Sequence, residues 1–459
     1  MVVKTRLCVA IILTLLVTVG TAAAQEDAVP PWEEWQPPEV QMPQPNGWQI
    51  YMLAAQLEDQ IQARLEDGTA PAGPLILGPE AAAPPAAEAP PVVEDNEMPA
   101  EEAPPVGGNP AIALDMSEAS LEPETLARLV HEYAPVFSAL EAAIAGDAQA
   151  PLLRTGEDME QAFPDFAKMR QFARMFAARS IYHMQNEHAL SAALDGIAAM
   201  QVGADCATGQ SMISGLVQEA CVAIGEARVR EAIPHLTGEE ARIAMNALQD
   251  AMGEIADFAD IMEGEAVFSK TYFANVTAPA MTGEADLPEG VEVPEGAVTA
   301  EDTWEALTSF QEAQLAEARK PYWQREALPT PENPLVATLA ASFDRAGMKF
   351  TYGDARLRVT LTALAAQAYK GDTGSYPASL EQLVPQYLDE VPRDPFVDAP
   401  LQSVAGEAVS RAHPGAQREP TAAGVLTIYS VGYDRDDDGG ADVGNRIEED
   451  GDIALTLGG

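Results

Sequence analysis

Positive charge is what this sequence has least of. Lys and Arg number 26 against 72 Asp and Glu, a formal net charge of −46 over 459 residues. A surface of that sign repels nucleic acid and anionic lipid, so neither is expected as a partner. It attracts cations, although binding a divalent metal needs a local arrangement of ligands and not bulk charge. Histidine is scarce at five and cysteine at three. There is no His-Glu-x-x-His pair, no Gly-x-Ser-x-Gly elbow and no glycine-rich phosphate loop, which removes the common signatures of metalloproteases, serine hydrolases and nucleotide-binding enzymes. Acids are so frequent that no carboxylate pair for proton transfer stands out. A chain without catalysis is the expectation.

Long apolar runs are scarce as well. Lys4 and Arg6 precede an apolar run at residues 7–19, and Ala22-Ala23-Ala24 follows. A charged start, a short apolar stretch and small residues make a secretory signal. The run is shorter than the ~20 residues of a membrane span, which favours a cleaved signal peptide over residues 1–24 and not an anchor. The expected location is exported, periplasmic or extracellular. Cys8 opens the apolar run instead of following it, which argues against a lipid anchor. Cys206 and Cys221 remain after cleavage. If the stretch between them is one helix, they stand about 22 Å apart at about 1.5 Å per residue, beyond the ~7 Å between Cα atoms that a disulfide allows. Two buried thiols are expected, and a helix break near Gly209 reopens the question.

The rest of the chain divides by composition. Residues 25–45 form an acidic, proline-rich lead carrying Trp32 and Trp35, aromatics available to dock on a folded body. Residues 46–330 read as an all-α domain. Asn46 caps a helix at 47–66 whose Ile50, Leu53, Ala54, Leu57 and Ile61 keep helical spacing. Further helices are predicted over 125–145, kinked by Pro135, and over 163–187, 189–202, 208–233 and 302–323. Thr237 and Glu240 form a capping box that opens another. Short loops predict antiparallel neighbours. Residues 277–297 read as a Gly/Pro/Glu loop. Residues 68–110 hold no Lys or Arg and too few large apolar groups to bury a core, so they read as a disordered insertion in this domain. Residues 331–459 form the last domain. Asn333 caps and Pro334 starts a long helix to Tyr369, with a bend expected at Gly347 or Gly353. A strand at 425–431 follows. The fold class is multidomain α and α+β, an all-α domain followed by an α+β domain with a small antiparallel sheet.

The strand runs into the strongest site signal. Asp434, Asp436, Asp438 and Gly439 match the first half of an EF-hand loop. Closely spaced carboxylates beside a turn glycine suit calcium, a hard cation that takes several oxygen ligands. Asn445 stands where the twelfth-position Glu belongs, and the flanks are strand and coil, so this is not an EF-hand. A solvated acidic turn is the plainer alternative. His183 and His188 are five apart, a poor spacing for ligands on one helix face. Met169, Phe172 and Met175 read as core.

The long helix leads into Gly374-Ser375-Tyr376-Pro377-Ala378-Ser379-Leu380, then into Tyr387-Leu388-Asp389-Glu390-Val391-Pro392-Arg393-Asp394-Pro395-Phe396, then into the strand and the acidic loop. This order resembles the soluble domain of the major pseudopilin of type II secretion systems. The helical block resembles uncharacterised helical domains of exported bacterial proteins. The first resemblance implies a calcium loop bracketed by Ser430-Val431-Gly432-Tyr433-Asp434 and Gly451-Asp452-Ile453. Its candidate ligands are Asp434, Asp436, Asp438 and Asp452, with Asp450 a substitute for Asp452. The pilin leader, a Phe or Met with a Glu five residues into a long apolar helix, is missing, so polymerisation as a pilin is not expected. The resulting expectation is an exported, non-catalytic structural or interaction protein that binds calcium, linked to type II secretion or a pilus-like assembly. Its partners would be envelope or secretion-system proteins, with no nucleic acid and no membrane span after signal cleavage. A helical-groove adaptor for a peptide or polymer, or a carboxylate-based hydrolase, are the alternatives.

Overall fold

A computed structural model describes residues 29–66, 123–152, 156–207, 211–285, 298–405, 424–442 and 451–458. The predicted signal peptide, the predicted insertion at 68–110, Asn445 and Asp450 lie outside the described residues. The described chain is mostly helical with a small three-stranded antiparallel sheet near its end, an α and α+β layout as the hydrophobic patterning implies.

The lead docks through its tryptophans. Trp32 meets Phe273 edge-on at 6.2 Å, and Trp35 donates its indole N–H to Thr271 Oγ1 at 3.2 Å. Helix α1 (Trp48–Glu66) buries Tyr51, Ala54, Leu57 and Ile61. Asn46 caps it, its Oδ1 accepting the Trp48 amide at 2.9 Å. The same oxygen accepts the Gln149 amide at 3.0 Å, so one side chain caps a helix and staples it to a segment a hundred residues on. The helix predicted over 125–145 is two, α2 (Pro123–Glu132) and α3 (Ala134–Ile144). Pro135 lacks the amide a continuous helix needs, so the helix restarts instead of bending.

Helix α4 (Gly156–Gln185) precedes a tight hairpin of α5 (Ala189–Ala207) and α6 (Met212–Ala232). The two pack backbone against backbone. A Cβ on Gly196 would lie 2.7 Å from the Gly225 carbonyl oxygen, closer than real contacts allow. Cys206 is therefore on α5 and Cys221 on the antiparallel α6. The single-helix spacing behind the predicted separation does not hold, because the chain reverses between them. Both thiols are nonetheless free and buried, and Cys221 Sγ sits 3.9 Å from the Met169 carbonyl oxygen.

The Thr237–Glu240 capping box opens α7 (Gly238–Glu254). A second box, Asp257 with Asp260, opens α8 (Phe258–Tyr272), a break that the apolar pattern did not reveal. Part of the predicted 277–297 loop is helical, α9 (Ala278–Thr282). Thr299 then caps α10 (Ala300–Ala318), shorter at its end than predicted.

Asn333 caps α11 (Pro334–Thr373), an unbroken helix of 40 residues. The helix is not interrupted at Gly347 or Gly353. These glycines serve close approach instead: a Cβ at Gly347 would meet the Phe258 ring at 3.1 Å, and one at Gly353 would collide with the Glu219 carboxylate. Strands β1 (Gln402–Ala405), β2 (Leu426–Ser430) and β3 (Ile453–Leu457) form the sheet in that order. Leu426 faces Leu457 and Ser430 faces Ile453.

One apolar cluster runs without interruption from Ile197 and Val229 of the hairpin, through Leu248 of α7 and Leu364 of α11, to Ile428 and Leu457 of the sheet. The long helix is thus shared, one side against helices and the other against strands. Glu226 adds a polar tie. Only 1% exposed, it pairs with Arg230 at 3.0 Å and with Arg356, and accepts Thr360 Oγ1 at 2.7 Å. Arg230 continues to the Ala454 carbonyl oxygen at 2.7 Å, which links helix, long helix and sheet. Among the described residues no helix is long and apolar enough to cross a membrane.

The acidic loop at the sheet edge

Strand β2 ends at Ser430, and the chain must turn sharply to stay against β3. Gly432 makes that turn at φ 74°, and a Cβ there would press on the carbonyl oxygen of Gly451. The end of the strand is fixed by Asp394, which is 0% exposed. Its Oδ1 accepts the Ser430 hydroxyl and the Phe396 amide, both at 2.9 Å, and its Oδ2 accepts the Val431 amide at 2.8 Å. Burial pushes the Asp394 carboxyl above its ordinary range, and the three donors pull it back. The Arg-Asp-Pro-Phe crossing is therefore the buttress of the loop. Patterning could not assign this role, because Asp394 reaches Val431 only through the fold.

Asp434 is half-buried at the loop entrance. Its Oδ1 accepts the Asp436 amide at 3.1 Å, an Asx turn, and its Oδ2 accepts the Gly451 amide at 2.6 Å. Asp452 is 0% exposed. Its Oδ2 accepts the Gly440 amide at 2.5 Å and its Oδ1 the Asp438 amide at 3.4 Å. Burial first, and then the charges of Asp437 and Asp438, push its carboxyl up to about 7. Asp437, which the sequence pattern passed over, accepts the Tyr429 hydroxyl at 3.0 Å and the Gly439 amide at 2.8 Å. Asp442 accepts the Ala454 amide at 3.2 Å and bridges to Asp452 in parallel fashion.

The two halves of the bracket therefore meet. Asp434, Asp438 and Asp452 are drawn to one loop, while the Asp436 side chain is exposed and Asp450 is outside the described residues. Among the described residues, no three His, Cys, Asp or Glu side chains converge as a metal-ligand set. Asp452 is held short of full ionisation first by burial and then by the charges of Asp437 and Asp438, and positive charge beside it would favour its charged form.

Elsewhere, titratable groups gather on the helices. His183 and His188 bring their rings to 6.0 Å because α4 stops at Gln185 and Glu187 turns the chain at φ 61°. They never share the helix face on which their spacing was judged. His183 Nε2 lies 3.7 Å from Asp195, which Arg179 grips with two nitrogens. Tyr51 donates to Asp205 at 2.6 Å, and burial pushes that carboxyl up to about 7. At the joint of α6, α8 and α11, a cleft of about 470 Å³ holds Glu219 and Asp354. Burial pushes Glu219 up to about 8, and the Asp354 charge adds to the rise.

No protein-family model matches this chain, and neither a curated protein nor a solved structure matches it.

Proposed function

We propose that this chain is an exported, non-catalytic structural or interaction protein whose C-terminal module is a pseudopilin-like domain stiffened by calcium. The observation that carries the reading is the closure of the acidic loop: Asp434 and Asp452 reach across it to backbone amides of the opposite half. A calcium ion supplies positive charge among carboxylates that otherwise repel one another. In this reading Asp434, Asp436, Asp438 and Asp452 are the proposed ligands, with Asp450 as a substitute for Asp452 from the adjoining segment. Its role here is to fix the strand ends, and the fixed module offers a defined surface to envelope or secretion-system proteins. The test is a pull-down from envelope extracts with the full chain, in calcium and in chelator. Partners captured only in calcium support the reading, and an identical set in both conditions removes calcium from it.

A carboxylate-based hydrolase is the second reading, favoured by the cleft at the joint. There Glu219, protonated near neutrality, lies within the field of the Asp354 carboxylate, an acid with a charged neighbour of the kind proton-transfer sites use. Glu219→Gln, set against wild type on a panel of ester, peptide and glycoside substrates, tests it. Hydrolysis lost in the variant favours this reading, and no turnover by wild type ends it.

A further inference from the structure

The cleft of about 470 Å³ at the joint of α6, α8 and α11 has the size of a small-molecule site. The charges on its wall decide what it can take. Arg319 pairs with Glu263, Lys320 with Glu317, Arg393 with Asp398 and Arg358 with Asp354. Arg325 spends its guanidinium on the Lys320 and Ala318 carbonyl oxygens, in the fields of Asp257 and Glu317. Of the other acids on the wall, Asp257 caps α8, Asp394 holds the end of β2 beside Arg358, and Glu219 is protonated near neutrality. An ion entering this cleft finds no free counter-charge, and a neutral ligand leaves every pair intact.

Two polar atoms on this wall are open and accessible. Arg358 donates Nε to Asp354 Oδ1 at 2.7 Å and Nη1 to the Arg393 carbonyl oxygen at 2.8 Å. Its Nη2 and the Asp354 Oδ2 have no hydrogen-bond partner among the described residues. The two side chains are 33% and 39% exposed, and neither atom is enclosed. The bond between them holds that donor and that acceptor next to each other. Adjacent hydroxyls of a sugar ring meet such a pair, one accepting from the guanidinium and the next donating to the carboxylate. Trp323 adds an apolar face to the same wall. Its neighbour Tyr322 is engaged by Phe396 and by the guanidinium groups of Arg325 and Arg435. The Trp323 indole is half-buried and, among the described residues, has no ring, cation or hydrogen-bond partner. The electron-rich face of an indole attracts the C–H hydrogens of a sugar ring.

We propose that this cleft binds a neutral saccharide, with neighbouring hydroxyls on Arg358 and Asp354 and the face of the sugar on Trp323. Binding shares the cleft with the hydrolase reading but needs none of its proton chemistry. A chain that binds sugar without cleaving it ends that reading and leaves this proposal standing.

The experiment is calorimetric titration of the full chain with cellobiose and with N,N′-diacetylchitobiose. Each is set against a charged form of the same disaccharide, cellobiuronic acid and the de-acetylated diamine. The neutral sugars are expected to bind, and the charged forms about tenfold more weakly, since neither charge finds a free partner. Trp323→Ala is expected to weaken binding about tenfold by removing the platform. Arg358→Lys keeps the positive charge but loses the planar fork, and is expected to weaken binding about tenfold as well. Because Arg358 also holds the Arg393 carbonyl oxygen, a misfolded Arg358→Lys is set aside and Trp323→Ala decides. No binding by either neutral sugar, equal binding of neutral and charged forms, or full affinity in Trp323→Ala overturns the proposal.

Discussion

Asp434 and Gly451 are joined by a hydrogen bond of 2.6 Å from the glycine amide to the aspartate Oδ2, which closes the loop between β2 and β3. The strand that leads into the acidic run and the strand that leaves it are thus tied at a point where like charges push the loop open. A cation that binds only the closed form stabilises it by mass action, about 2.7 kcal/mol at a hundredfold excess over its dissociation constant. The chain is therefore expected to melt higher in calcium than in chelator. Asp434→Ala should erase the difference. Sodium chloride at equal ionic strength should not reproduce it, because screening relieves repulsion without coordinating. A salt effect as large as that of calcium reduces the loop to a charged turn.

The buried acids set a pH dependence. Asp452 and Asp205 stand at about 7 and Glu219 at about 8, each raised first by burial from ordinary values of 3.8, 3.8 and 4.5. Each folded pKa lies above its unfolded value, so the folded state holds more protons. The contribution is complete below the unfolded value and is lost as pH rises through the folded one. In chelator, thermal melting is expected to fall from about pH 4 to about pH 8, the window those values define. Asp452→Asn, which cannot ionise, should flatten part of that slope. Melting temperatures that rise over the same interval contradict the assignment.

Asp394 offers a sharper test of the buttress. Asp394→Ala strands the Val431 amide, the Phe396 amide and the Ser430 hydroxyl in a site without solvent. At roughly 1–3 kcal/mol for each unsatisfied buried group, the total loss should reach about 3 kcal/mol or more. Urea unfolding followed by circular dichroism measures it. A loss under about 1 kcal/mol means that the loop holds without its buttress.

The α5–α6 hairpin rests on small residues. Gly196→Ala places a methyl carbon 2.7 Å from the Gly225 carbonyl oxygen and 2.9 Å from Val229 Cγ2. Backbone cannot rotate away as a side chain does, so the helices must separate, at about 1–3 kcal/mol or more. Gly253→Ala is the control, since nothing lies within 4 Å of its added carbon. It should be neutral or slightly stabilising by helix propensity. Equal effects at the two sites contradict a close hairpin.

What the sequence by itself determined is local. Asn333-Pro334, Thr237 with Glu240 and Asn46 each placed a helix start, because a cap is built from residues within one turn. Of the predicted apolar stripe of α1, Ala54, Leu57 and Ile61 are buried and Ile50 and Leu53 only partly so, while Tyr51, outside the stripe, is fully buried; helical periodicity, a property of adjacent turns, placed the face to within a residue. The residues flanking Asp434 and Asp452 suggested one shared loop, and each carboxylate does accept a backbone amide across it. What only the tertiary structure decided depends on approach between distant segments. Gly347 and Gly353 read as bends, yet they lie in an unbroken helix where the side chains of Phe258 and Glu219 come close. Most of the Cys206–Cys221 segment read as one helix, with a break near Gly209 left open, and the packing of Gly196 on Gly225 shows the reversal. Asp394 and Val431 are separated by 37 positions, and a carboxylate becomes a buttress only when folding takes it out of water beside the amides it holds.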